Sequence, residues 1–333
     1  MEWVTMETRK VQVTGGSTYT VSLPKDWATE NDVSAGSLVE FHSENDLLLL
    51  SPRREEDSAD GIIDISGIDG KAELMNVVMS MYVSGFDVIR LESQRITAGQ
   101  RRIIREATQG LVGLEIIEET SNHVVLQDLL DSSELSVHNA ITRMRLVSLA
   151  MLEDAVEALI EDDDELAHDV IERDDDVDRL WYMISRVFRT VLRNPTAANE
   201  IGLARDDAFD YQSSARQLER IADHATKIAE LALEVGEIPP NAANPLRNLA
   251  EEAMTVPETA MDALLSDDSD DAVSLANDAR SNIPAIDDHA LEVDKEVHEF
   301  DRLAGRVLRV EADESLGEPR DRLALGLDGR RRR

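Results

Sequence analysis

The chain has 333 residues, of which 42% are apolar and only 4% aromatic, so its core is aliphatic and its length suggests two or three domains. It carries 69 acidic and 34 basic residues, a formal charge of −35, and only 5 of the cations are lysine. Without cysteine it can form no disulfide, thiolate zinc site, iron–sulfur cluster or cysteine nucleophile.

An acid excess with so little lysine is the composition of a halophilic protein, in which concentrated salt screens the self-repulsion. The longest aliphatic run, Leu47–Leu50, falls far short of the ~20 residues a membrane span needs. The opening MEWVTMETRK has no apolar signal region. A cytoplasmic chain without membrane insertion is therefore expected.

Residues 1–54 carry 8 acidic and 5 basic groups, a net of −3, whereas residues 55–333 carry 61 and 29, a net of −32. The first zone is thus the part suited to face something anionic. It reads as strands: Arg9–Val13, a Gly15-Gly16 turn, and the alternating Tyr19–Leu23. Pro24 then opens a short helix, and Leu38–Phe41 and Leu47–Leu50 form a hairpin. Four short strands bury too little apolar surface for one copy, so a homodimer is expected.

The order of Gly16, Leu23-Pro24-Lys25 and Gly36 between these strands resembles the AbrB/SpoVT/MazE swapped-hairpin DNA-binding domain, over about residues 6–52. The resemblance implies that two chains interleave their hairpins and that Arg9, Lys10 and Lys25 meet DNA.

Residues 55–59 read as a linker. Residues 60–132 alternate strand and helix: Gly61–Ile65, helix Asp69–Ser84 closed by Gly85, Val88–Leu91, helix Thr97–Thr108 capped by Thr97, Leu114–Glu118 and His123–Gln127. This predicts a small α/β sandwich with no phosphate loop, serving as a spacer or dimer platform.

From about Ser136 every segment has helical period, with Leu146, Leu149, Leu152, Val156, Leu159 and Ile160 as one apolar stripe. The region repeats itself. Met151–Ala167 aligns on Val256–Ala272 at an offset of 105, and Ile171–Leu180 on Leu291–Phe300 at an offset of 120. Two helical bundles of about three helices each are expected.

Within the first copy, Glu219 and Asp223 lie four apart in the apolar LERIADHA, one helical turn from each other. Asp174 and Asp178 have the same spacing on the preceding helix, with Glu172 and Asp176 one face over. Like charges so placed repel, and a bound cation turns the penalty into attraction. All-oxygen sets suit Mg, Mn or Fe, and Zn less characteristically. The competing reading is a solvated acidic face, which fits Asp174/Asp178 better than Glu219/Asp223.

LERIADHATKIAE and IERDDDVDRL resemble the paired motifs of the PhoU family of phosphate-uptake regulators, over roughly residues 140–312. The resemblance implies tandem three-helix bundles and a metal site held by Glu219, Asp223, Asp174 and Asp178, with Glu172 as a further ligand.

The expected architecture is therefore multidomain α+β. It comprises a swapped-hairpin β domain (1–54), a small α/β domain (60–132) and an all-α PhoU-like domain (136–333). After Ser315 the helical, acidic character gives way to EPRDRLALGLDGRRRR. The last helix is accordingly expected to be missing or altered, through a frameshift or as a genuine basic tail. The expected function is a metal-binding, DNA-binding transcriptional regulator of phosphate transport. The alternative is an adaptor that inhibits the phosphate ABC transporter by contacting its ATPase without DNA. A metallohydrolase is the least favoured of three readings, because the sequence offers neither a Ser/His/Asp set nor a nucleotide loop; the expectation is a protein that is not an enzyme.

Overall fold

The computed structural model describes residues 7–296 except 17, 45–46, 54–59, 131–135, 237, 239 and 267. The linker expected at 55–59 and the altered segment after Ser315 lie outside the described residues. The chain folds as an α+β assembly of a strand-rich head, an α/β sandwich and a helical region.

In the head, β1 (Gln12–Thr14) and β2 (Thr18–Thr20) form an antiparallel hairpin with Gln12 opposite Thr20. Gly15 and Gly16 turn the chain at φ 66° and 83°, which glycine adopts without strain. After Pro24 comes α1 (Lys25–Glu30), then β3 (Val39–Glu44) and β4 (Leu47–Pro52), paired with Phe41 opposite Leu50. The two hairpins remain separate two-stranded sheets. Among the described residues of the head none is buried. Val11, Val13, Tyr19, Val21, Leu38, Phe41, Leu47 and Leu48 each expose 49–77% of their surface. Isolated hairpins with their apolar side chains in water are marginal at best.

The sandwich runs β5 (Asp60–Asp64), α2 (Lys71–Val83), β6 (Val88–Glu92), α3 (Ala98–Gln109), β7 (Leu114–Glu119) and β8 (His123–Asp128). Its sheet has the order β5-β6-β8-β7, with β5 and β6 parallel and the remaining pairs antiparallel. Period-2 alternation turns Ile89 and Leu91 inward, onto Leu74, Val78 and Tyr82 of α2 and Ile104 of α3. Thr97 caps α3 in a complete capping box with Gln100, whose amide also donates to Ile65 O and Ile68 O. Gly85, at φ 78°, lets the chain leave α2.

The helical region begins with α4 (Val137–Glu161) and α5 (Asp164–Arg193). The short α6 (Pro195–Ile201), which the periodicity does not reveal, leads to α7 (Arg205–Val235). Helices α4, α5 and α7 pack into a three-helix bundle. Ala208, Ala215, Ala222, Ala225, Ala229 and Ala232 are all buried along α7, so backbones approach closely there. Leu146, which the spacing places in the stripe of α4, is 65% exposed; Met144, Met151 and Ala155 fill the core instead. A second pair, α8 (Pro240–Leu265) and α9 (Ser269–Glu296), packs on itself and through α8 onto α4.

The internal repeat has a structural counterpart at the helix turns. Asp163 Oδ1 accepts from the backbone N–H groups of Glu165 and Leu166. Asp268 Oδ1, 105 positions on, accepts from those of Asp270 and Asp271. Among the described residues no helix is long and apolar enough to cross a membrane.

Candidate functional site

Helices α5 and α7 run antiparallel, and the two acid pairs meet between them. Asp174 and Asp178 sit on α5, one turn apart; Glu219 and Asp223 sit on α7 with the same spacing. All four are partly buried. Burial pushes the Asp178 carboxyl up to about 6, with the charges of Asp174 and Asp223 adding to the effect. Glu219 is pushed up to about 7, first by burial, then by Asp223 and Asp178, with Arg216 partly opposing. Asp174 is raised by burial and by Asp223. Asp174, Asp178 and Glu219 are thus taken partly out of water and set against other carboxylates, both of which disfavour their ionised forms.

The surroundings supply little compensation. The Tyr182 hydroxyl donates to Asp178 Oδ2 at 3.5 Å, the long limit for such a bond. Arg216 lies with its guanidinium carbon 5.9 Å from the centre of the Trp181 ring. Thr226 Oγ1 is buried without a well-formed hydrogen bond although it lies close enough to Asp174 to hold its pKa down somewhat, and Ser185 Oγ is likewise buried without a partner.

This set can accept positive charge. Its donors are all oxygen, the class preferred by hard cations, and a cation would relieve the mutual repulsion. The set therefore fits a metal ion in charge and in donor chemistry. The side chains are not gathered into a ready-made cage: among the described residues no three His, Asp or Glu groups converge as metal ligands.

Glu172 is not part of this cluster. It is exposed and lines a shallow acidic groove with Asp163, Glu165, His168 and Asp169. Two residues along a helix from Asp174 is a rotation of about 200°, which sends Glu172 to the other side of α5. Of the head cations, Arg9 and Lys10 are exposed just before β1, and Lys25 is exposed at the start of α1. Arg9 pairs with Glu7 at 2.5 Å.

Sequence reasoning missed a buried cation with several hydrogen bonds. Arg186 on α5 is 5% exposed. Its guanidinium donates to Asp128 Oδ2 at 2.8 Å, to the carbonyls of Tyr82 and Phe86 at 2.9 Å each, and to Asp87 Oδ1 at 3.2 Å. The available signal was a charged residue inside the apolar run Met183–Val187.

The family profile for the PhoU domain matches residues 141–232, which hold all four acids. Residues 141–232 are similar to a PhoU domain. The head matches a second family, described as antidote-toxin recognition MazE, bacterial antitoxin, over residues 12–58. A phosphate-specific transport system accessory protein PhoU homolog from Pseudomonas putida is 30% identical over 163 residues, covering 48% of this chain and 61% of that protein. The chain thus spans about three fifths of that relative's length. No solved structure matches the chain. The matched segment takes in most of α4, together with α5, α6 and all but the last turn of α7, so the acid set lies within it.

Proposed function

We propose that this protein regulates phosphate uptake, acting on DNA through its MazE-like head and taking up cations at the acid set of its PhoU domain. The observation that carries the reading is the joining of these two domains in one chain, with the PhoU part related to a phosphate-transport accessory protein. The exposed apolar surface of the head supports a homodimer, in which Arg9, Lys10 and Lys25 of two copies form the DNA-facing surface. The role is regulatory rather than enzymatic.

In the PhoU domain, Asp174, Asp178, Glu219 and Asp223 would hold a divalent or trivalent ion such as Fe, Mn, Mg or Zn. Such an ion supplies charge neutralisation. The residues themselves position the carboxylates from two helices and keep bulk water partly away.

The DNA reading is tested by fluorescence anisotropy with phosphate-transporter promoter DNA and the full chain. Binding is expected, and replacing Arg9, Lys10 and Lys25 with alanine should weaken it about tenfold or more, with a shallower salt dependence. No binding at any salt overturns it. The second reading, an adaptor on the transporter's ATPase, is favoured by the PhoU relationship. It predicts that the ATPase is retained equally by the full chain and by a chain lacking residues 1–54. Calorimetric titration with MnCl2 tests the cation site, and Asp223→Ala should abolish the heat.

A further inference from the structure

The helices of the first bundle, α4, α5 and α7, each pack on both of the others. Helix α9, with 28 residues and a length of about 42 Å, packs chiefly on α8, which in turn packs on α4. Its inward stripe is regular. Ala279, Ile286, Ala290 and Val293 recur at helical spacing, and Ala279 and Val293 are 5% and 2% exposed.

About 110° around the helix lies a second stripe, made of Val273, Ala276, Arg280, Pro284, Asp287 and Leu291. These residues recur at intervals of three and four, so they form one continuous face. Val273 and Leu291 are 62% and 50% exposed, and Ala276, Arg280 and Pro284 are exposed with them. The third side of the helix is different. Asp270, Ser274, Ser281, Asp288 and Glu292 make it polar and solvated. A stripe of valine, alanine, proline and leucine beside such a side has the composition of a face that packs.

The two charges on the stripe decide what it packs against. Arg280 and Asp287 are two turns apart, about 10 Å along the axis, and do not pair with each other. Neither has an ion-pair partner among the described residues. Antiparallel pairing of two α9 helices, about a two-fold axis between Ile283 and Pro284, sets each Arg280 opposite Asp287 of the second copy. Both charges are then matched, twice over. The same register sets each Ala276 opposite Leu291 of the second copy, a small residue against a large one. The stripe is thus complementary to itself in charge and in size, which an isologous contact requires.

We propose that a second copy of this chain covers the stripe, its α9 antiparallel to the first, so that α8 and α9 of two chains close a four-helix bundle. The apolar contacts supply the attraction and the interhelical ion pairs fix the register. This contact is separate from the homodimer expected of the head and does not depend on it.

The chain has no cysteine, so introduced thiols report on the contact directly. Ala276→Cys and Leu291→Cys are introduced together into the full chain, and disulfide formation under mild oxidation is followed on non-reducing gels. A disulfide-linked dimer is expected. Each single variant should stay unlinked, because like positions lie about 22 Å apart in this register, beyond the ~7 Å between Cα atoms that a disulfide spans. In the two-cysteine background, Arg280→Asp should slow crosslinking about fivefold or more, and adding Asp287→Arg should restore it, which damage to the helix would not do. Absence of the crosslink, as when residues 297–333 of the same chain cover the stripe, overturns the proposal. So does equal crosslinking of the single variants, or a charge reversal that the second reversal fails to rescue. Crosslinking reads neither DNA nor cation binding, so its failure leaves those readings standing.

Discussion

Glu219 and Asp178 illustrate how one side chain can weaken a fold that it serves. Burial and neighbouring carboxylates raise their folded pKa values to about 7 and about 6, above those of the unfolded chain. Between about pH 4 and pH 7 the folded state therefore holds the extra protons, and the acid set costs stability as pH rises through that window. Glu219→Gln should raise stability at about pH 8 by roughly 1–2 kcal/mol, allowing for its partial exposure, and the gain should vanish near pH 5. Melting temperatures across that range check it. Arg186 has the opposite character. Arg186→Met takes the cation away from the carboxylate of Asp128, whose side chain is 13% exposed, and from the carbonyls of Tyr82 and Phe86, and should cost about 3 kcal/mol in denaturant titration.

At the scale of elements, the two helix-turn acids carry equivalent roles. Asp163 caps α5 and Asp268 accepts from the first backbone groups of α9, so Asp163→Ala and Asp268→Ala should each cost about 1 kcal/mol, measured by thermal unfolding. Gly113 is less forgiving. It sits at φ 78°, and a Cβ there would lie 2.2 Å from Leu130 Cγ and 2.8 Å from Asp128 Oδ1. Gly113→Ala should therefore destabilise the sandwich by about 2 kcal/mol or more, and the displaced Asp128 should loosen Arg186 with it. The helices and strands themselves were legible in sequence because their periodicities are strong. The capping box at Thr97 and the close of α2 at Gly85 fall where the local residue chemistry puts them. Helix α6 was not legible, because seven residues between two long helices carry too little periodicity to register.

Across the whole molecule the dominant quantity is charge. A net of −35 works against a compact state, and the partly buried acid set adds to that cost. Raising KCl from about 0.1 M to about 2 M should raise the melting temperature markedly, and Glu219→Gln should narrow the difference. Unfolding followed by circular dichroism at several salt concentrations checks both. A melting temperature insensitive to salt would show that the surface acids are too far apart to matter.

The sequence by itself determined the helical repeat, the aliphatic sandwich and the two acid pairs, because each is written as a local spacing that helix and strand geometry converts directly into a face. Which acids share a site was decided only by tertiary structure. Glu172 carries the same spacing logic as Asp174, yet it lies on the far side of α5, because the partner helix α7 covers one face alone. The joining of sandwich to bundle was likewise invisible in sequence. It depends on Arg186 meeting the end of α2, 100 residues away along the chain, and no local pattern encodes a contact whose other half is that distant.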